Sequence, residues 1–372
     1  MPFRWYQLVR RDDLGTAKVW KYDKLTKGAL SALVFTIEAQ NGGTKNLNNP
    51  IFENVKEIAI KDGAYVAWSL PGPLARAQSV FNGDKLQETN WSEYADAWQW
   101  DKFVPQLGDY LGDPAKYLSL GDMSNPVIEV DWDEANVQTA GANGILSDSG
   151  RINAHALIDT ELSGRAPQGF YRSRKIDDFT SLVSGDHDVT LDVDFPVRSL
   201  FLRSKKNDSG PDEGISQVKL GFDADTYIPL QEYVEDAMRR NVHEFNLDTH
   251  FGNRVFTKHD QDIHAPLGYV QSAQMLGSGT GTRFAYINYL IPCTARVAIF
   301  DSTGTAVTSY ETWFVDWQGF VPYSTVGWRW GWPFTATPML AANRYKKGVF
   351  RLTQAEASHA VTVGLEQLAV QP

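Results

Sequence analysis

The 372-residue sequence predicts an all-β fold built as two tandem antiparallel sandwiches, and three observations carry the expectation. Short runs of alternating apolar and polar residues, separated by turn residues, recur along the chain, as in antiparallel sheets with one buried face. The chain holds 12 Trp, 15 Tyr and 19 Phe against 5 Met, a balance suited to pleated surfaces where flat rings pack on cross-strand neighbours. Its length exceeds what one hydrophobic core usually covers, so two cores are the starting point.

The strands read in order. Val55, Ile58 and Ile60, the turn Asp62-Gly63, then Tyr65, Val66 and Trp68 form the pattern of a β-hairpin. Val189, Leu191, Val193 and Phe195 alternate with polar residues, Arg296 to Val315 repeats strand, turn and strand, and Val361, Val363, Leu365 and Leu368 predict a closing strand. Apolar spacing at i, i+3, i+4 and i+7 predicts two short helices, one through Trp91, Tyr94, Ala95 and Trp98, the other through Leu230, Tyr233, Val234, Ala237 and Met238 up to Asn241. A shift of 160 residues lays Phe35 on Phe195, Ile37 on Val197, Val55 on Ile215, Ile58 on Val218 and Ile60 on Leu220. After a two-residue slip, Tyr65 and Val66 fall on Tyr227 and Ile228. EYADAW at Glu93 also resembles EYVEDAM at Glu232, so a duplicated domain is expected. Gly- and Ser-rich stretches at Thr139–Gly150 and Ser163–Gly169 mark exposed loops and put the boundary near residue 180.

The formal net charge is -10, which repels nucleic acid unless positive charge is concentrated somewhere. Met1 to Gly28 supplies such a concentration: Arg4, Arg10, Arg11, Lys18, Lys21, Lys24 and Lys27 stand against Asp12, Asp13 and Asp23, with Trp5, Tyr6, Trp20 and Tyr22 interleaved. This segment reads either as a terminal arm packed on its own domain or as a contact for an anionic surface. Cys293 stands alone, so no internal disulfide is expected, and the fold suits a reducing cytoplasm. No signal-peptide core and no run of about 18 apolar residues is expected to anchor the chain in a membrane.

Catalytic patterns are weak. His250, His259 and His264 lie near Asp248, Asp260 and Asp262 but lack metal-ligand spacing, and are expected to be solvated loop residues. Glu129, Asp131, Asp133 and Glu134 alternate with Val130 and Trp132 as the wet face of a strand does, although paired carboxylates also serve glycoside hydrolysis. Gly277 to Thr282 lacks the Lys and helix of a phosphate loop, and Cys293 sits in an apolar run. The densest feature is Trp313, Trp317, Trp328, Trp330 and Trp332. Aromatic packing in a core or at a subunit interface is the favoured role, with stacking on sugars the alternative.

In each half a strand leads into NPIFENVKEIAIKDGAYVAWSL or DFPVRSLFLR…GISQVKLGFDADTYIPL and then a short helix. From Ala29 onward this order resembles the double jelly-roll major capsid proteins of tailless icosahedral viruses, the lineage of the adenovirus hexon and membrane-containing bacteriophages. The resemblance implies an all-β chain of two eight-stranded antiparallel jelly rolls with short helical excursions: a basic aromatic arm at 1–28, a first roll at 29–180 and a second at 181–372. It implies a non-enzymatic major capsid protein, without cofactor or metal, whose homotrimers are nearly six-sided and tile an icosahedral virion shell. Expected partners are neighbouring trimers, penton and minor capsid proteins and, through Arg4, Arg10, Arg11, Lys18 and Lys21 on the inner surface, an internal lipid membrane or the genome. The expected location is the virion, with host cytoplasm during assembly. The competing reading is a carbohydrate-binding or glycan-hydrolysing β-sandwich of a spike or adhesin.

Overall fold

The computed structural model describes residues 3–43, 46, 49–82, 95–137, 141, 144–161, 167–206, 210–245, 322–331 and 338–370. At 89–90 and between 246 and 321 it describes only the backbone of short strand segments. The first half contributes β1 (Arg4–Asp13), β2 (Ala17–Tyr22), β3 (Ala29–Gln40), β4 (Val55–Asp62), β5 (Tyr65–Leu70), β6 (Trp98–Phe103), β7 (Pro126–Asp133) and β8 (Arg151–Asp159), with helices α1 (Ile51–Asn54) and α2 (Gly72–Phe81). The second contributes β9 (Phe170–Thr180), β10 (Gly185–Leu191), β11 (Val197–Lys205), β12 (Ile215–Phe222), β13 (Tyr227–Tyr233), β14 (Thr325–Arg329), β15 (Gly348–Gln354) and β16 (Ala360–Ala369), with α3 (Pro211–Gly214) and α4 (Val234–Glu244).

The halves repeat one topology. Sheets run β1-β8-β3-β6 and β2-β7-β4-β5 in the first, β9-β16-β11-β14 and β10-β15-β12-β13 in the second, so each strand has its counterpart eight places on. A one-turn helix precedes β4 and β12, and a longer helix follows β5 and β13. A single parallel bridge, Ser69 to Arg174, joins β5 to β9 and merges two of the sheets into one eight-stranded sheet. The cores stay separate: Trp20, Phe35, Trp68, Phe103 and Trp132 belong to one, and Leu220, Trp328, Phe350 and Val363 to the other.

Local sequence explains the elements that position everything else. Gly63, at φ +60°, makes the tight turn between β4 and β5, and the Asp62 carboxylate accepts the amides of Ser124 and Asn125. In β7, Ile128, Val130 and Trp132 face inward while Glu129, Asp131 and Asp133 face out, the alternation a half-wetted strand requires. Val55 and Ile215 open equivalent strands, as do Tyr65 and Tyr227, so the 160-residue repeat is real at the hairpin. It fails at Phe35, which lies inside β3 whereas Phe195 precedes β11.

Several expectations need correction. Residues 1–28 are not a separate arm, because β1 pairs with β8 and β2 with β7, burying Leu14 and Trp20 in the first core. Residues 170–180, expected in the first roll, pair with β16 of the second. The helix predicted through Trp91 and Trp98 is absent among the described residues: Ala95 and Asp96 form a turn and Trp98 opens β6. The helix of the first half is α2 instead. It begins at Pro71-Gly72-Pro73, where a proline in the first turn loses no hydrogen bond, and every side chain in it is buried. In the second half α4 starts at Val234, as Leu230 and Tyr233 remain in β13. Most of Arg296 to Val315 lies outside the described residues.

Candidate functional site

The feature that makes one block of two sandwiches is a polar seam around α2. Leu74 and Phe81 lean on the second sandwich where Gly364 and Gly327 leave room: a Cβ at Gly364 would stand 3.2 Å from Leu74, and one at Gly327 3.2 Å from the Phe81 ring. Phe81 also stacks on Phe201 at 5.8 Å and meets Phe245 at 4.6 Å between ring centroids. Beside these rings Glu366 and Arg198 are both fully buried and paired at 3.0 Å. The Glu366 carboxylate also accepts from Ser199 Oγ at 2.9 Å and Gln78 Nε2 at 2.7 Å. Arg198 lies 3.7 Å over the Tyr171 ring, and Tyr171 donates its hydroxyl to Asp109, which Lys116 also holds. Burial alone would raise Asp109, but Lys116, Tyr171 and Arg198 outweigh it and keep this carboxyl below the usual range. On the other side of α2, buried Arg76 pairs with Asp101 at 2.7 Å. Groups from α2, β9, β11 and β16 thus share hydrogen bonds that no exposed water can replace.

The five basic residues singled out above do not gather at one end. Arg4 opens β1 and Arg10 and Arg11 lie near its close, a separation of roughly 20 Å at strand rise, and Lys18 and Lys21 are likewise spread along β2. All five are exposed. Arg11 pairs with Glu38 at 3.1 Å and Lys21 with Glu129 at 2.7 Å, whereas Arg4 and Arg10 form no ion pair among the described residues. Together these residues line a lateral edge of the block, where β1 and β2 each have a single neighbour and Trp20 Nε1 ties the strands by donating to Asp12 at 2.7 Å.

Of the five tryptophans, Trp328 is 2% exposed in β14, edge-on to Phe350 at 5.7 Å, with Nε1 donating to Glu232. Trp330 packs on the second core. Trp313, Trp317 and Trp332 lie outside the described residues, as do His250, His259, His264, Cys293 and Gly277 to Thr282. Among the described residues two surface clefts of about 230 Å³ stand out, each with carboxylates paired to lysine or arginine side chains. In one, Glu53 pairs with Arg203 at 2.5 Å and Lys205 at 2.7 Å. In the other, Asp188 pairs with Arg351 at 2.7 Å and is lowered first by that hydrogen bond, and Asp225 pairs with Lys219 at 2.5 Å. Glu129 is lowered by Lys21 and then Lys61, so the acidic run is a salt-bridged face.

Its last member behaves differently. Glu134 is fully buried beyond β7, where the Ser147 side chain and the Asp148 backbone are the groups that approach its carboxyl and no cation pairs with it among the described residues. Burial pushes it up to about 7, which the Ser147 side chain offsets only in part. The folded value exceeds the ordinary 4.5, so the folded state holds the extra proton between those values. Stability from this group is therefore complete below pH 4.5 and lost as pH rises through about 7. Glu134→Gln is expected to raise stability at pH 8 by on the order of 1–2 kcal/mol and to change little at pH 4.5; equal melting shifts at both pH values would contradict the assignment.

No protein-family model and no curated protein sequence matches the chain. Solved structures do. A chain in the atomic structure of Sulfolobus turreted icosahedral virus is 7% identical, with TM-score 0.58 and coverage of 99% of this chain and 91% of that one. The major capsid protein of bacteriophage PM2 is 9% identical, with TM-score 0.50 and coverage of 100% and 98%. The fold is the double jelly roll. PBCV-1 VP54, at 8% identity and TM-score 0.55 over 98% of this chain and 92% of that one, shares it. At 7–9% identity the likeness is one of fold and not of sequence.

Proposed function

We propose that this double jelly roll is a major capsid protein whose homotrimers, nearly six-sided, tile an icosahedral virion shell. The observation that carries the reading is the end-to-end likeness of both rolls to the major capsid protein of bacteriophage PM2, a chain of similar length. The seam supports it physically, since two rolls locked as one block give a trimer six similar faces. In this reading the protein is structural and not an enzyme, needs no cofactor, and works in the virion after passing through host cytoplasm. Its partners are other trimers, penton and minor capsid proteins. The carbohydrate reading needs rings exposed to sugars, and burial of Trp328 weighs against it.

An inner-surface contact with lipid, genome or an acidic minor protein is assigned here to Arg4, which shares its end of the first roll with the exposed Lys24 and Lys27. Because residues 4–22 are strands, point substitution tests this better than deletion. Native mass measurement is expected to give three times 41.6 kDa, and Arg4→Glu to keep that mass while lowering particle yield under electron microscopy. A stable monomer would overturn the capsid reading, and unchanged particle yield the role of Arg4.

A further inference from the structure

Three connections of the first roll meet at the end remote from Arg4: residues 14–16 after β1, residues 41–43, 46 and 49–54 after β3, and residues 134–137 and 144–150 after β7. Backbone hydrogen bonds cross between them. The Leu14 amide donates to the Gly150 carbonyl at 3.0 Å, Gly42 to Gly144 at 2.8 Å and Glu134 to Thr16 at 3.0 Å. Behind them runs a chain of side-chain amides. Gln99 and Asn46 donate to Asn41 Oδ1, Asn46 Oδ1 accepts the Asn49 amide, and Asn54 donates to Asn49 Oδ1. All five are buried, and Asn49 Nδ2 continues the chain to the Glu134 carbonyl at 3.2 Å.

Glu134 differs from the rest of this junction, because it brings an ionisable group into a neutral network. The charges around it do not balance its own. Asp148 and Asp133 act on it as like charges, and the cation beside them, Lys56, is held by Asp133 at 2.5 Å. Arg151 donates to Asp13 at 2.9 Å and to the carbonyls of Asp148 and Gly150, and Lys18 donates to the Asp13 carbonyl. On the connection after β3, Glu53 holds Arg203 and Lys205. A carboxylate buried without a counter-ion is costly, so the closed junction favours the protonated form. Parting of the connections would let water reach the ion, which couples opening to loss of the proton.

We propose that Glu134 is a proton-operated latch: neutral, it keeps the three connections closed over the end of the first roll, and ionised, it lets them part. The sign follows from linkage. The closed junction holds its proton up to about 7 while an opened, hydrated carboxyl releases it near the ordinary 4.5. Opening therefore releases a proton between those values, and the equilibrium constant for opening rises roughly tenfold per pH unit across that window and levels off above it. The second roll joins its equivalent connections differently: His359 Nδ1 meets Ser204 at 3.1 Å and its Nε2 meets Glu356 at 3.1 Å, with no buried carboxyl in that place. The latch belongs to the first roll and does not depend on the capsid reading.

The test is hydrogen exchange of the full chain at pH 5, 6, 7 and 8, with each rate corrected for the intrinsic effect of pH. The reporting amides are Leu14, Gly42 and Glu134, which cross the junction. Their protection is expected to fall by roughly tenfold per unit between pH 5 and 7 and to change little from 7 to 8, while the amides of β12 and β15 stay level. In Glu134→Gln the fall is expected to vanish, with protection at pH 8 close to that at pH 5. Equal slopes in wild type and Glu134→Gln would overturn the latch, as would a fall shared by β12 and β15. Should the variant not fold, carbon-13 NMR of the Glu134 carboxyl in the wild-type chain decides. A midpoint well above 4.5 supports the latch, and one at 4.5 overturns it.

Discussion

Replacing Glu366 by alanine is expected to destabilise the chain by about 3–5 kcal/mol, because Arg198 is left fully buried with only the more distant Asp109, at 3.9 Å, as counter-ion. Ser199 and Gln78 lose their acceptor at the same time, which adds the cost of unmet buried donors. The control is the double change Arg198→Met with Glu366→Leu. It removes both charges and is expected to recover most of the loss, since a buried ion pair is worth little more than the apolar groups that fill its volume. Urea unfolding of the three forms reads the effect. A Glu366→Ala loss below about 1 kcal/mol would mean that the seam contributes shape and not binding energy. Its position predicts more than a stability change: the carboxylate receives groups from α2 and β11, so its loss is expected to let the two rolls unfold in separate transitions.

The seam is also where the sequence was hardest to read. Hairpins announced themselves: Asp62-Gly63 and the alternation around it placed β4 and β5, and Tyr227 marked the same position in the second roll. Helix α2 did not, because it is buried on every side and its polar residues, Arg76 and Gln78, face buried partners instead of solvent, so they do not mark out a wet face at helical spacing. Its Pro-Gly-Pro start resembles a turn, and the aromatic spacing of Trp91 and Trp98 offered a false substitute. Basic residues near the terminus suggest an arm apart from the first roll, packed on its own domain or touching an anionic surface, yet Leu14 and Trp20 in the same stretch are core residues, and edge strands carry charge for their own reasons. Arg198 and Glu366 had a faint signal, a charge inside the apolar runs VRSLFL and VGLEQLA, but nothing in one sequence tells a buried partner 168 positions away. The acidic run was legible because solvent exposure imposes the simple period of two.

The aromatic half of the seam leads to a second large effect. Phe81→Ala is expected to cost about 3–5 kcal/mol, as the ring is buried against Phe201 and Phe245 and the surrounding strands relax only in part. Gly327→Val alone is expected to cost about 1–3 kcal/mol, because its Cβ would press on the Phe81 ring at 3.2 Å. The ordinary backbone of Gly327 within β14 leaves this crowding as the main penalty. In the Phe81→Ala background the ring is gone, so the valine enters the vacated space and its penalty is expected to vanish or reverse. The two changes should therefore be strongly non-additive, with a coupling of about 1–3 kcal/mol in a double-mutant cycle. Additive losses would show that Gly327 and Phe81 do not share one space, and would remove the close approach by which α2 of the first roll seats on the sheet of the second.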